Sequence, residues 1–186
     1  MFSQEEMVRR EKAKTATLIL VAVCLIVCLL SPLLPVSLSD MGLSKNCGLT
    51  SRLCYSFFHA SIYHLAGNCW VLLCIVFYYE LPLSRLFISY IIAVTAPAFS
   101  DVPTIGLSAV VYCLLGQASY LAKRQLYFHF WVGVFIYIFG IIVPLLLEYR
   151  GVEIARPNNL LHVYCYVAGL VVGFFNSPMS LWRRRK

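Results

Sequence analysis

Six long apolar runs, separated by short polar segments, dominate this chain. They cover residues 15–36, 60–79, 86–99, 107–121, 128–147 and 160–175. A helix needs about 20 predominantly apolar residues to cross the hydrocarbon core of a bilayer, so the pattern predicts six membrane-spanning helices. The fourth and sixth runs are short and rich in small residues, which favours helices enclosed by their neighbours.

Composition supports the same class of protein. Hydrophobic residues make up 61% of the 186 positions and charged residues only 12%, so polar side chains are too few to cover a water-soluble globule. We expect an all-α membrane protein with a six-helix domain over residues 15–177, an N-terminal segment over 1–14 and a basic tail over 178–186. The first run is too long for a signal peptide, and Pro32 and Pro35 replace the small residues of a cleavage site, so we expect a retained span.

Basic residues predict the orientation of the spans. Six spans place both termini and the second and fourth loops on one face, which carries Arg9, Arg10, Lys12, Lys14, Arg85, Lys123, Arg124, Arg183, Arg184, Arg185 and Lys186. The opposite face keeps Lys45, Arg52, Arg150 and Arg156. The positive-inside rule then predicts a multi-pass protein of the cell membrane with cytoplasmic termini. The net charge of +7 reflects this topology and contact with anionic lipid, and does not indicate a nucleic-acid partner.

The first external loop, residues 37–58, is the longest segment without a predicted span. It either shapes access to a site or simply connects two spans. It holds Cys47 and Cys54, which can form a disulfide if that compartment is oxidising, and both the bridged and the free state stay open. The other six cysteines lie within the apolar runs and are expected to pack as small hydrophobes.

Polar residues that a membrane helix normally excludes stand near the start of three runs. Ser108 lies near the start of the fourth run, and His162 lies near the start of the sixth, just after Pro157-Asn158-Asn159, which supplies a plausible helix cap. His64 and Asn68 lie early in the second run, four residues apart and therefore on one helix face. Taken singly, such residues are often structural. Because alternate spans begin on the same side of the membrane, these residues share a depth, which favours a functional site.

A serine with a histidine predicts hydrolysis of a carbonyl group through a covalent intermediate. The imidazole activates the hydroxyl for attack, and hydrogen-bond donors then stabilise the oxyanion. Ser108 and His162 fit the first two roles, whereas His64, Asn68 and the Ser108 amide fit the third. We interpret His129, at the cytoplasmic end of the fifth run, as an interfacial residue.

The apolar runs lack acidic residues and lysines, which argues against several catalytic mechanisms. All eight acidic residues lie in loops or at span ends, so a catalytic dyad is expected rather than a triad. The same distribution argues against paired-aspartate proteases and carboxylate proton relays. The chain has no H-E-x-x-H motif and no lysine within a run, which argues against a zinc protease and against a serine-lysine pair.

These motifs resemble those of the rhomboid intramembrane serine proteases, whose patterns are H-x4-H-x3-N, G-x-S-G with a following tyrosine, and H-x-x-G-x-x-x-G. The resemblance covers residues 57–175, in the family's order. The positions that carry it are His59, His64 and Asn68 in the second run, Gly106, Ser108 and Tyr112 in the fourth, and His162, Gly169 and Gly173 in the sixth.

The resemblance implies a six-helix rhomboid-like bundle that acts as an intramembrane endopeptidase. Ser108 would be the nucleophile, His162 the general base, and His64 and Asn68 the lining of the oxyanion hole, while Tyr112 would pack against the base. The substrate would be a transmembrane segment of another protein, entering sideways from the lipid bilayer. We expect no cofactor and no metal.

Several features depart from the family pattern or are left open by it. Ala109 stands where a glycine usually follows the nucleophile, and Cys165 replaces the first glycine of the sixth-run motif, which predicts a slightly wider contact between these helices. The first loop lacks the usual Trp-Arg pair, since Ser51 precedes Arg52. His59 would be a supporting residue at the start of the second helix, off the face of His64.

Two other functions stay open. An inactive rhomboid-like protein would use the same fold to bind transmembrane clients without cleaving them, although Ser108 and His162 are both present. A metal or haem protein would use His59, His64 and His162 as ligands, since neutral imidazoles suit zinc, copper and iron. On a regular helix, however, His59 and His64 would point about 140 degrees apart, which argues against a shared metal.

Overall fold

A computed structural model describes residues 4–35, 37–121, 146, 149, 150 and 158–176 of the chain. The helices are α1 (Gln4–Leu30), α2 (Leu49–Cys54), α3 (Ile62–Tyr79), α4 (Leu83–Thr95), α5 (Ser108–Leu121) and α6 (Asn159–Asn176), with 3-10 turns at Ser31–Leu33 and Tyr55–Phe57. Over these residues the only β-structure is an isolated antiparallel bridge between Leu43 and Thr104. The all-helical prediction is confirmed.

The helices follow five of the predicted runs. Helices α3, α5 and α6 agree with those runs within two residues at each end. Helix α1 begins at Gln4 instead of residue 15, so the charged N-terminal segment continues the first span as one helix. Helix α4 lies nearer the N-terminus than the predicted 86–99 and ends at Thr95, before Pro97. The fifth run, His129 and the basic tail lie outside the described residues.

Two of the described helices are long and apolar enough to cross a membrane, Met7–Leu33 and Ile62–Tyr79. Leu83–Thr95, Ser108–Ser119 and Asn159–Phe175 are shorter apolar helices. Large apolar side chains of α1 point away from the protein, and Ile19 and Leu29 are each more than half exposed. Such a surface is suited to lipid, because helices hydrogen-bond their own backbone and can present apolar side chains to hydrocarbon.

Helix α5 lies at the centre of the described helices and packs against α3, α4 and α6. Its residues Val110, Leu114 and Ala118 are fully buried or nearly so, as predicted for the fourth run. Helix α6 differs from the prediction of an enclosed helix, since Val163 and Val167 are at least half exposed. The reason is that its small residues occupy a single face, and only that face packs against α5.

The loop of residues 37–58 docks onto the end of α4 through two side chains. The Arg52 guanidinium donates to the carbonyl oxygen of Ala96 at 3.0 Å, and the Tyr55 hydroxyl donates to that of Ala93 at 3.0 Å. The last carbonyls of a helix lack their regular helical partners. The Ala93 carbonyl already accepts the N–H of Ala96 at 3.3 Å, and the two loop side chains each add a bond at this end of α4. Arg52 therefore has a structural partner even without the tryptophan that usually precedes it.

Candidate active site

The nucleophile candidate and the base candidate meet across two helices. Ser108 is the first residue of α5, and His162 lies in the first turn of α6. The Oγ atom of Ser108 is 2.9 Å from Nε2 of His162, within the range of a good hydrogen bond. Ser108 is only 8% exposed, so the pair is largely shielded from its surroundings. A hydroxyl can donate to a neutral imidazole in this arrangement.

Tyr112 holds the imidazole from the other side. It lies one turn beyond Ser108, and its ring stacks on that of His162 with centroids 4.4 Å apart and planes inclined by 11°. Among the described residues no carboxylate bonds to His162. The stacked phenol ring packs on the face of the imidazole and so limits its rotation.

Gly106 makes room for two further polar side chains beside the nucleophile. Its φ of +116° is a conformation that side-chain-bearing residues rarely adopt. A Cβ atom at this position would lie 2.7 Å from Cε1 of His64 and 3.3 Å from Nδ2 of Asn68. The absence of a side chain at Gly106 thus lets both α3 residues approach the turn that leads into Ser108.

The side-chain amide of Asn68 is the notable group in this niche. Its Nδ2 atom is buried and has no hydrogen-bond partner among the described residues. A buried donor without a partner is destabilising by roughly 1 to 3 kcal/mol, and such groups usually have a functional explanation. An oxyanion formed beside Ser108 would supply the missing acceptor.

His59 lies in the same niche, contrary to expectation. Its ring contacts that of His64 edge to face, with centroids 5.2 Å apart, and its Nε2 accepts the backbone N–H of Leu107 at 3.3 Å. The prediction that it would lie off the face of His64 was wrong because α3 begins only at Ile62. Burial, together with the neighbouring His64, lowers the pKa of His59 to about 4, so its ring is neutral and can accept from Leu107.

Comparison with known protein families assigns the chain. A family model of the rhomboid domain matches residues 47–179. The chain belongs to the rhomboid family. No curated protein sequence matches it. The family includes intramembrane proteases and inactive members, and the matched region contains every candidate site residue from His59 to His162.

The two helices that carry the pair pack closely at two glycines of this rhomboid. A Cβ atom on Gly116 would lie 2.2 Å from the carbonyl oxygen of Tyr166, and one on Gly169 would lie 2.1 Å from that of Cys113. Ala109 and Cys165 are both fully buried. The larger side chains at positions 109 and 165 are therefore enclosed, and the backbones also approach closely at the two glycines further along the helices.

Several contacts of the rhomboid site had no signal in the sequence. The carbonyl oxygen of Tyr55 accepts the N–H of Gly106 at 2.9 Å, which ties the first loop to the turn before Ser108. Main-chain contacts of this kind depend on tertiary structure and not on residue type.

Cys47 and Cys54 are free thiols in the structure. The sequence had left both the bridged and the free state open.

The histidines do not form a ligand set. In the residues described, no group of three or more His, Cys, Asp or Glu side chains is arranged to hold a metal ion. The Nε2 of His59 accepts from a backbone amide, and the Nε2 of His162 faces Ser108. One ring nitrogen of His59 and one of His162 are thus engaged in hydrogen bonds, and the described residues do not favour the metal or haem alternative.

Proposed function

We propose that this rhomboid is an intramembrane serine endopeptidase that cleaves transmembrane segments of other proteins with a Ser108–His162 dyad. The observation that carries the proposal is the 2.9 Å contact between Oγ of Ser108 and Nε2 of His162. The unpartnered Asn68 amide beside the same turn adds a donor at the place where an oxyanion would form.

The chemistry follows from these positions. His162 Nε2 removes the hydroxyl proton as Ser108 Oγ attacks the peptide carbonyl carbon, and the carbonyl oxygen becomes an oxyanion. Asn68, His64 and the Ser108 amide donate hydrogen bonds to it. His162 then gives the proton to the departing amine, which leaves an acyl-enzyme. A water molecule, activated by the same imidazole, releases the second product and restores Ser108.

The substrate of this proposal is a helical membrane segment. Its peptide bond has to leave the helix before Ser108 can attack, because a helix buries its carbonyls in internal hydrogen bonds. Cleavage takes place near the outer boundary of the bilayer and releases a soluble fragment. Both termini of the multi-pass chain lie on the cytoplasmic side of the cell membrane. The membrane domain covers residues 15–177, and the first loop lies on the outer side.

The test uses the full chain in lipid vesicles with a fluorophosphonate probe and with helical membrane substrates. Ser108→Ala and His162→Ala should abolish both labelling and cleavage. Ser119→Ala is the matched control, because Ser119 lies on the same helix and, within the described part of the chain, its hydroxyl bonds to the Leu115 carbonyl and the Tyr166 hydroxyl and not to His162. It should be labelled like the unaltered protein.

Two outcomes would overturn the proposal. Labelling that persists in Ser108→Ala would remove the nucleophile assignment. If the unaltered, folded protein were neither labelled nor active on several helical substrates, the alternative of an inactive rhomboid that binds transmembrane clients would be favoured.

A further inference from the structure

Thr104 joins the first external loop to the turn that leads into α5. Its backbone forms a two-way bridge with Leu43, with N–H to carbonyl distances of 2.8 and 3.0 Å. Leu43 is 1% exposed, so the bridge is anchored in the core. Gly42 passes so close to Pro103 that a Cβ on it would lie 2.5 Å from the proline Cβ. The segment around Thr104 is therefore held firmly on one side.

Asn158 makes three bonds at the start of α6. Its Oδ1 accepts the N–H of Leu161 at 3.2 Å, and its carbonyl oxygen accepts the N–H of His162 at 3.1 Å. The predicted helix cap is thus confirmed. The remaining donor, Nδ2, reaches across to Oγ1 of Thr104 at 3.0 Å. One side chain therefore both caps the helix that carries the base and contacts the segment that carries the nucleophile.

The two cross-links between these segments are in register. Thr104 precedes Ser108 by four residues, and Asn158 precedes His162 by four residues. The Thr104–Asn158 bond of 3.0 Å and the Ser108–His162 contact of 2.9 Å are thus two successive connections between the same pair of segments. Displacement of one connection is transmitted to the other, because only four residues separate them on each side.

We propose that Thr104 and Asn158 form a positioning latch that fixes the Ser108 hydroxyl within reach of the His162 imidazole. This inference rests on the proposed function. Neither latch residue takes part in the chemistry; both act through the backbone of the dyad residues. The latch also couples the first loop to the dyad, because the Thr104 side chain bonds to Asn158 while its backbone bonds to Leu43.

The experiment removes the cross-link without removing the helix cap. Thr104→Val keeps the shape of the side chain but deletes the hydroxyl. Asn158→Ser keeps a good capping residue but is too short to reach Thr104. Misplacement of a reacting group by about 1 Å can lower a rate by about 100-fold, so both variants should be labelled by the fluorophosphonate about 10 to 100 times more slowly.

Controls separate positioning from loss of folding. Thr104→Ser restores the hydroxyl and should recover the labelling rate. Thr95→Val makes the same change at an exposed threonine whose hydroxyl, among the residues described, bonds within α4, and it should have no effect. Thermal unfolding is recorded for each variant, and the maximal labelling rate is measured separately from probe affinity. The double variant Thr104→Val/Asn158→Ser should be no slower than the slower single variant.

The possible results test the latch separately from the proposed protease function. Slow labelling of both folded variants with rescue by Thr104→Ser supports the latch. Labelling of Thr104→Val and Asn158→Ser at the unaltered rate, while Ser108→Ala stays unlabelled, overturns the latch and leaves the proposed protease intact. Additive effects in the double variant would also overturn it, because two residues in one bond cannot act independently. An unlabelled unaltered protein would overturn the protease and the latch together.

Discussion

Replacement of Gly169 by alanine tests whether close packing of α5 and α6 sets the geometry of the dyad. Gly169 lies two turns after His162 on the face that meets α5. The added methyl carbon would lie 2.1 Å from the Cys113 carbonyl oxygen and 2.9 Å from its carbonyl carbon. Both atoms belong to the α5 backbone, so no side chain can move aside. The only relief is a separation of the two helices.

The size of that separation follows from the contact distance. Ordinary contacts of a methyl carbon begin near 3.4 Å, so α6 must retreat by about 1 Å. A similar displacement at His162 would lengthen its 2.9 Å contact with Ser108 beyond hydrogen-bond range. We expect a loss of about 100-fold in the rate of fluorophosphonate labelling. The free energy of unfolding should fall by about 1 to 3 kcal/mol, as is typical of overpacking.

Labelling rate and thermal unfolding are measured together in the same vesicles. The matched control is Gly67→Ala, because a Cβ on Gly67 meets no atom within 4 Å. Alanine also favours the helix over glycine by about 1 kcal/mol, so this control should unfold no more easily than the unaltered protein. If Gly169→Ala labels at the unaltered rate and its unfolding is unchanged, the inferred link between helix separation and dyad geometry is wrong.

Two further predictions concern side chains around the dyad. Asn68→Ala should lower the maximal cleavage rate about 100- to 1,000-fold, as expected for loss of an oxyanion donor. It should not lower the thermal midpoint, since Nδ2 has no partner among the described residues. An unchanged rate in a cleavage assay would remove Asn68 from the oxyanion hole. Tyr112→Phe should retain activity because the stacked ring is kept. Tyr112→Ala should lower the labelling rate about tenfold, because it loses a ring contact of about 1 kcal/mol. Equal losses in the two variants would show that the hydroxyl, not the ring, matters.

Apolar runs predicted the helices wherever hydrophobicity alone marks their ends. They missed the start of α1 because its first turns are made of charged residues with high helix propensity, supported by ion pairs such as Arg9 with Glu5. They shifted α4 because Pro82 and Pro97, and not a change in hydrophobicity, flank this helix. Proline positions in the sequence could have corrected the second error.

A shared depth along the predicted spans was enough to group four residues as candidates for one functional site: Ser108, His162, His64 and Asn68. The placement of His59 failed because regular helical geometry was applied to a residue that precedes the helix. Ser61 caps α3, with its side chain accepting the His64 N–H at 3.2 Å, and a serine before an apolar run is a recognisable start signal. The bridge between Leu43 and Thr104 had no comparable signal, since it joins main-chain atoms of distant segments.

Among the described residues no carboxylate bonds to His162, so the geometry of the proposed dyad depends on contacts that do no chemistry. Gly169 allows the close approach of the two helices, Gly106 leaves room for the proposed oxyanion donors, and Tyr112 stacks on the ring of His162. This division predicts two classes of variant. Changes at Ser108 remove the proposed nucleophile and one hydrogen bond to His162 but leave the close packing at the glycines as it is, so activity is lost while the thermal midpoint changes little. Changes at Gly169 alter the helix contact itself, so activity and thermal midpoint must fall together, because one displacement causes both losses.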